Sequence, residues 1–176
     1  MKIPPGVTSD ALFSDCKRFR YWLTRTWSTD LPTIAFIGLN PSVASLEVDD
    51  KTVRKCQMYA RRWGYGRLLM LNLYAFRATD PKVMWRALDR YVDIVGGSHN
   101  SLGSLRQYIA DFNATKTVAA WGAQAHGRGS DARGSLPGLY CLEQNKDGSP
   151  KHPLYIPSAS DLKPWNFDSA RAGTPM

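Results

Sequence analysis

Short polar clusters follow three apolar segments of this chain, and they contain the side chains best suited to chemistry. Asn40 lies in GLNPS directly after TIAFI, Asn72 ends the run LLMLN, and Trp-Gly-Ala-Gln at 121–124 closes the segment TVAAW. In an open parallel sheet, ligands bind outside the carboxyl ends of the strands. If these segments are parallel strands, their polar clusters meet at one rim and form a single site.

Other familiar sites are not indicated. The sequence has no GxxxxGK[ST], no GxGxxG after a strand, no HExxH and no GxSxG. Its histidines and cysteines are too widely separated for a metal motif or a disulfide framework; they are His99, His126, His152, Cys16, Cys56 and Cys141. We therefore expect no metal, no cofactor and reduced thiols. Ser42 has no base placed near it by the sequence.

Composition indicates one globular domain with an excess of positive charge. The 176 residues are 43% hydrophobic, and 23 Lys and Arg against 15 Asp and Glu give a net charge of +8. This excess favours polyanionic partners, nucleic acid first. No apolar run approaches the roughly 20 residues of a membrane span, and no apolar signal region begins the chain. We expect a cytoplasmic monomer without membrane partners, spanning 1–176 with loose termini at 1–10 and 166–176.

The pattern of apolar runs, turns and helical periods predicts an α/β fold. Strands are expected at 19–27, 33–37, 68–73, 117–121 and 139–142, with 151–157 a further strand or its loop. Helices are expected at about 50–63, 81–90 and 98–112, and the Gly-rich stretch 126–134 is expected to be a loop. Strand, helix and strand between 33 and 73 form a βαβ unit with parallel strands.

The helix predicted at 50–63 is amphipathic and basic. Its apolar face is formed by Val53, Cys56, Ala60 and Trp63. Its opposite face carries Lys51, Arg54, Lys55, Arg61 and Arg62. Either Asp49 or Asp50 can cap the N-terminus. The basic face is either a solvated surface or a nucleic-acid groove.

Two resemblances extend this interpretation. From about Leu12 to Trp165 the chain resembles the family called domain of unknown function 1643, through FIGLNPS, DDKTVRKC, RRWGYG, NLYAFRATDP, AAWG and KDGSPKHPLYIP. More remotely it resembles the uracil-DNA glycosylase superfamily. The matching motifs, in the correct order, are GLNP at 38–41, LMLN at 69–72 with Arg77 beyond it, Trp-Gly at 121–122 and His-Pro-Leu at 152–154.

The glycosylase resemblance implies a three-layer α/β sandwich with a central, mostly parallel sheet, and a role for each motif residue. Asn40 would orient the attacking water, and His152 would donate a hydrogen bond to the departing base. The base would be bound by Gly38, Leu39, Pro41, Ser42, Asn72, Tyr74 and Phe76. Nucleic acid would contact Lys51, Arg54, Lys55, Arg61, Arg62, Arg77, Lys151 and Leu154, the last by filling the vacated base stack. The resemblance gives no role to Asp49, Asp50 or Lys146.

The function implied is hydrolysis of the N-glycosidic bond of a modified or mismatched base in DNA. Asn40 replaces the Asp of stricter uracil enzymes, and Ser42 replaces the Tyr that excludes a thymine methyl, so the base is left open. Two alternatives remain. One is an enzyme acting on free nucleosides or nucleotides with the same pocket, and the other is a non-catalytic nucleic-acid binding module.

Overall fold

The apolar runs of the sequence form the strands of one seven-stranded sheet. A computed structural model describes residues 1–165 of the chain. Its strands are β1 Thr8–Phe13, β2 Arg20–Thr26, β3 Thr33–Gly38, β4 Arg67–Asn72, β5 Ala114–Ala119, β6 Leu139–Cys141 and β7 Lys163–Pro164. Its α-helices are α1 Lys51–Arg62, α2 Pro81–Leu88, α3 Leu102–Asp111 and α4 His126–Ser135. Short 3-10 helices lie at Gly97–Asn100, Ala123–Ala125 and Pro153–Tyr155.

The sheet is mixed, with a parallel centre. Its strand order is β1-β2-β4-β3-β5-β6-β7. The neighbours within β4-β3-β5-β6 are parallel, whereas β1, β2 and β7 join antiparallel. The expected βαβ unit is therefore present as β3, α1 and β4. The expectation of a mostly parallel sheet holds only for the four central strands.

Helices cover both faces of the sheet because the central strands are apolar on both sides. In β3, Ile34 and Phe36 pack in the cluster that contains the buried face of α1. The alternate residues Ala35 and Ile37 pack in the cluster that contains buried residues of α2, α3 and α4. The three-layer arrangement thus follows from the sequence of β3. Within residues 1–165, no helix combines the length and apolar character needed to cross a bilayer.

Two sequence expectations are wrong. The segment 1–10 is not a loose leader, because Lys2 bridges to Val48 and β1 begins at Thr8 to pair with β2. The Gly-rich stretch 126–134 forms α4 rather than a loop. Of the two alternatives for 151–157, the loop is the one observed, and it contains a short 3-10 helix. The tail 166–176 lies outside the described residues.

Helix α1 begins where the sequence predicts. Asp50 caps it, its carboxylate accepting the Val53 N–H at 2.8 Å. Val53, Cys56 and Ala60 are buried as expected. The N-terminal end of α1 is thereby fixed against the loop that follows β3.

A buried ion pair holds that loop against β2. The Arg25 Nε donates to Asp49 Oδ1 at 2.8 Å, and both side chains are almost fully buried. Gln57 of α1 donates to the other Asp49 oxygen at 2.7 Å. Arg25 also donates to the backbone oxygens of Ser45 and Val48. Asp49, which had no assigned role, is therefore a structural residue joining β2, the loop and α1.

We expect Asp49→Ala to lower the free energy of unfolding by about 3–5 kcal/mol, because it leaves the Arg25 charge buried and unpaired. The matched control is Asp161→Ala. Asp161 pairs with Arg62 at 3.0 Å on the surface, where such a pair contributes about 0–1 kcal/mol. Urea denaturation measures the free energy of unfolding of both variants. Equal losses of this free energy would contradict the assignment of Asp49 as a structural residue.

Candidate functional site

A cavity of about 960 Å³ opens at the carboxyl ends of β3, β4 and β5. Its walls include Asn40, Asn72 and His152, which come from three separate segments of the chain. Gly38, Leu39 and Ser42 of the first motif also line it, as do Trp121, Gly122, Ala123 and Gln124 of the segment after β5. The polar clusters predicted to share one rim therefore do so.

The position of the cavity follows from the strand order. After β3 the chain passes through α1 to β4 on one side, and it later returns to β5 on the other side of β3. The loops that leave β3 and β5 consequently diverge, and a crevice opens between them. The cavity occupies this crevice.

Backbone hydrogen bonds fasten the loop after β3 to the loop after β4. The Leu73 N–H donates to the Gly38 oxygen and the Tyr74 N–H to the Leu39 oxygen, both at 2.9 Å. The Ala78 N–H donates to the Pro41 oxygen at 2.8 Å. These bonds extend the parallel pairing beyond the strands, so the two loops are held side by side at the rim.

The Asn40 side chain is held in one orientation by the backbone. Its Nδ2 donates to the carbonyl oxygens of Ala78 at 2.8 Å, Pro41 at 3.2 Å and Phe76 at 3.5 Å. Because carbonyl oxygens only accept hydrogen bonds, the amide nitrogen must face them. The amide oxygen of Asn40 is left as the acceptor available to a ligand or a water molecule.

Asn72 presents an unsatisfied donor at the cavity wall. The residue is 2% exposed, and its buried Nδ2 has no hydrogen-bond partner among the described residues. A buried donor left unpaired costs about 1–3 kcal/mol, which a ligand acceptor can offset. A Cβ at residue 38 would lie 2.9 Å from the Asn72 Oδ1. Gly38 is therefore needed to leave room for this side chain.

The segment that carries His152 is held by contacts of the residues before and after it in the chain. Lys151 before it bonds Glu143 through both its N–H and its ammonium group, each at 2.8 Å. Beyond it, the Tyr59 hydroxyl of α1 donates to the oxygens of Ile156 and Pro157. The segment is thus tied to the end of β6 and to α1.

The hydrogen bonding and burial of His152 favour a neutral imidazole that can donate a hydrogen bond. Its Nδ1 accepts the Leu154 N–H at 3.4 Å, which places the ring proton on Nε2. Burial lowers the pKa of His152 below its ordinary value of 6.5, while Asp50 partly opposes this shift. The ring is therefore neutral at pH 7, with Nε2–H free to donate.

The backbone conformation after β5 requires glycine at residue 122. Its φ of 78° and ψ of −170° lie in a region that essentially only glycine adopts. A Cβ there would lie 3.7 Å from the His152 Cβ, an ordinary van der Waals contact, so the conformation and not the space available selects glycine. The neighbouring Trp121 is 3% exposed and lines the same wall.

Several residues predicted to bind the base lie elsewhere. Tyr74 is buried in the core, where its hydroxyl donates to the Ala125 oxygen at 3.1 Å and its ring contacts Trp85. Phe76 packs edge-on against Phe19. Neither ring lines the cavity, nor does Pro41, so stacking of a base on Tyr74 or Phe76 is not supported.

The predicted basic surface is only partly at the site. Lys51, Lys151 and Leu154 line the cavity. The other members bond to their own chain: Arg54 to the Met1 sulfur, Lys55 to Ser158, Arg62 to Ser160 and Asp161, and Arg77 to the Lys17 oxygen, while Arg61 lies over Trp27. Lys146 is exposed in the turn before His152 and lies outside the cavity.

Two charged residues at the site had no functional assignment from the sequence. Asp50 lines the cavity in addition to capping α1. Arg20, the first residue of β2, also lines it although it is 1% exposed. No sequence motif surrounds Arg20, so pattern analysis had no means of finding it. Within residues 1–165, no three His, Cys, Asp or Glu side chains are grouped to hold a metal ion.

Fold and site together define an α/β domain with a ligand-sized cavity, lined by polar and apolar side chains, at the switch point of its parallel strands. The family model described as "Protein of unknown function (DUF1643)" matches residues 20–154. The chain belongs to this family. Comparisons with curated proteins and with solved structures gave no match.

We expect His152 to titrate below pH 6.5 and Asp50→Asn to lower its pKa further, because the Asp50 charge favours the imidazolium. NMR titration of the ring protons measures both, with His152→Gln to assign the resonance. Since the unfolded chain binds this proton more readily, His152 reduces stability as the pH falls from 6.5 through the folded pKa. A midpoint at or above 6.5 would contradict the burial argument.

Proposed function

We propose that this protein is a hydrolase of the uracil-DNA glycosylase type, which cleaves the N-glycosidic bond of a modified or mismatched base in DNA. The observation that carries the proposal is that Asn40, Asn72 and His152 line one cavity. Its volume of about 960 Å³ is sufficient for a nucleotide.

The proposed reaction replaces a carbon–nitrogen bond by a carbon–oxygen bond. As the bond between C1′ and the base breaks, its electron pair goes to the base and C1′ acquires oxocarbenium character. The fixed amide oxygen of Asn40 holds the water that attacks C1′. That water's proton leaves to solvent and the departing base regains a proton, so the products are a free base and an abasic sugar. A dissociative reaction of this kind needs a positioned water more than a strong base.

Two donors at the cavity suit the departing base. The free Nε2–H of neutral His152 can donate to a base oxygen on which negative charge collects. The unpaired Nδ2 of Asn72 can donate to a base carbonyl, and its Oδ1 can accept from a ring N–H. This combination reads the imide edge of a pyrimidine. In place of Tyr74 and Phe76, Trp121 supplies the aromatic wall.

The mouth of the cavity is consistent with a base extruded from a helix. Leu154 is 40% exposed and Tyr155 is 81% exposed, and both line the cavity next to His152. An exposed apolar side chain at this point can fill the space that an extruded base leaves. Lys51 and Lys151 lie at the same cavity and suit phosphate oxygens.

The order of the motifs supports the proposed uracil-DNA glycosylase-like fold. GLNP, LMLN and Trp-Gly lie at the carboxyl ends of β3, β4 and β5, and His-Pro-Leu closes the cavity from the last part of the chain.

A second candidate is an enzyme that acts on free nucleotides. It is favoured by the intramolecular bonds of Lys55 and Arg62, which occupy cations that a DNA groove would use. The cavity chemistry is the same in both cases, and only the macromolecular surface differs.

The expected activity is release of a base from duplexes containing uracil, hypoxanthine or a hydroxymethylated pyrimidine, detected as alkali-labile abasic sites. His152→Ala should reduce the rate about 10²–10³-fold, the usual effect of removing a donor to developing charge. His99→Ala is the matched control, because His99 is exposed outside the cavity. Absence of abasic sites on every duplex and single strand, together with DNA binding that survives Asn40→Ala, would favour a binding module.

The salt dependence of binding separates the two enzyme candidates. A DNA enzyme should lose affinity steeply between 50 and 200 mM salt, with a slope of about −0.9 per phosphate neutralised. Lys51→Ala should make this slope less steep by about one unit. Fluorescence anisotropy with a labelled duplex measures the slope. A slope near zero would favour the free-nucleotide enzyme.

A further inference from the structure

Arg20 is a buried cation that the fold does not neutralise. It is 1% exposed, and its Nε has no hydrogen-bond partner among the described residues. Its Nη1 makes one bond, to the Ala44 oxygen at 3.0 Å. Burial lowers its pKa to about 10, a shift that Asp50 opposes and that Arg77 and Arg25 add to. The guanidinium is therefore still charged at neutral pH.

Arg25, on the same strand, is a buried arginine whose charge and donors are paired within the fold. It is equally buried, yet it pairs with Asp49 and also donates to Ser9 and to three backbone oxygens. No carboxylate of residues 1–165 forms an ion pair with Arg20. An unpaired buried charge is strongly destabilising, so Arg20 is not explained by the stability of the fold.

A β-bulge directs Arg20 into the cavity. Leu12 is paired with Trp22, but the next residue, Phe13, is paired with Arg20, so β2 has one extra residue at this point. Residues 20 and 25 would lie on opposite faces of a regular strand. The bulge instead lets both arginines reach the loop after β3, at Ala44 and Ser45 respectively. Bulges that redirect one side chain are common beside active sites.

The N-terminus of α1 lies at the same cavity. Lys51, Thr52 and Val53 line it, and the N–H groups of a first helical turn have no acceptor within the helix. Asp50 accepts the one from Val53, while those of Lys51 and Thr52 have no intrahelical partner. A helix start and a buried guanidinium favour the same ligand charge, which is negative.

We propose that Arg20 and the first turn of α1 form an anion subsite that binds a phosphate group of the substrate. The subsite goes beyond the glycosidase proposal, and it rests on that proposal only in assigning the phosphate to a nucleotide whose base contacts Asn72. A phosphate oxygen accepts from the Arg20 guanidinium and from the helix N–H groups. Asp49 and Asp50 are the acidic residues that line the cavity. Asp49 is paired with Arg25, and the cap bond of Asp50 to Val53 turns one Asp50 oxygen toward the helix.

The test uses inorganic phosphate and Arg20→Met, which keeps the length of the side chain and removes its charge. Phosphate should raise the Tm of the wild type above that in chloride of equal ionic strength. Arg20→Met should weaken phosphate affinity by about tenfold or more. Arg61→Met is the matched control, because it removes one positive charge from the outer face of α1. It should keep the wild-type response.

A second arm tests the stability of the unliganded protein. Without phosphate, Arg20→Met should be as stable as the wild type or more so, because it removes an unpaired buried charge. Equal phosphate responses in the two variants, no response in the wild type, or an Arg20→Met chain that is destabilised or unfolded would each overturn the subsite. None of these outcomes depends on whether abasic sites form, so the glycosidase proposal is judged separately.

Discussion

The parallel pairing of β3 with both β4 and β5 is the constraint on which the site depends. It sends three strand ends to one rim, and the change of direction at β3 separates the loops that would otherwise fill it. The bonds from Leu73 to Gly38 and from Ala78 to Pro41 then carry the pairing into the loops. A cavity with fixed walls results, although each wall comes from a distant part of the chain.

The buried polar groups at this rim are of two kinds. Some have all their hydrogen-bond partners within the fold, and others keep a donor that a ligand can pair. Asp49 and Arg25 are buried with complete sets of partners, so they stabilise the loop and α1. Arg20 and Asn72 are equally buried, yet each keeps a donor without a partner. An unpaired buried donor does not stabilise the folded chain. Their cost is offset when a ligand supplies acceptors, and both residues line the cavity at the carboxyl ends of β3, β4 and β5.

Much of the fold could be predicted from the sequence because the central strands are continuous apolar runs. The site was predicted where a motif adjoins a strand end, as at Asn40 and Asn72, and at the His-Pro pair that includes His152. It was missed at Arg20, because a bulge in β2 decides which face that residue occupies and leaves no mark in composition. Helix α4 was missed because its glycines disfavour a helix, although Gly129 lets it approach Trp121.

The electrostatics of the cavity match the proposed chemistry more closely than they match acid–base catalysis. Of its two carboxylates, Asp49 is committed to Arg25, and Asp50 is bonded to the start of α1. The groups left free are an amide oxygen on Asn40, an uncharged imidazole on His152 and amide and guanidinium donors. The donors of His152, Asn72 and Arg20 favour a ligand on which negative charge is present or develops. A nucleotide meets both conditions, because its phosphate is already negatively charged and its base acquires negative charge as it departs.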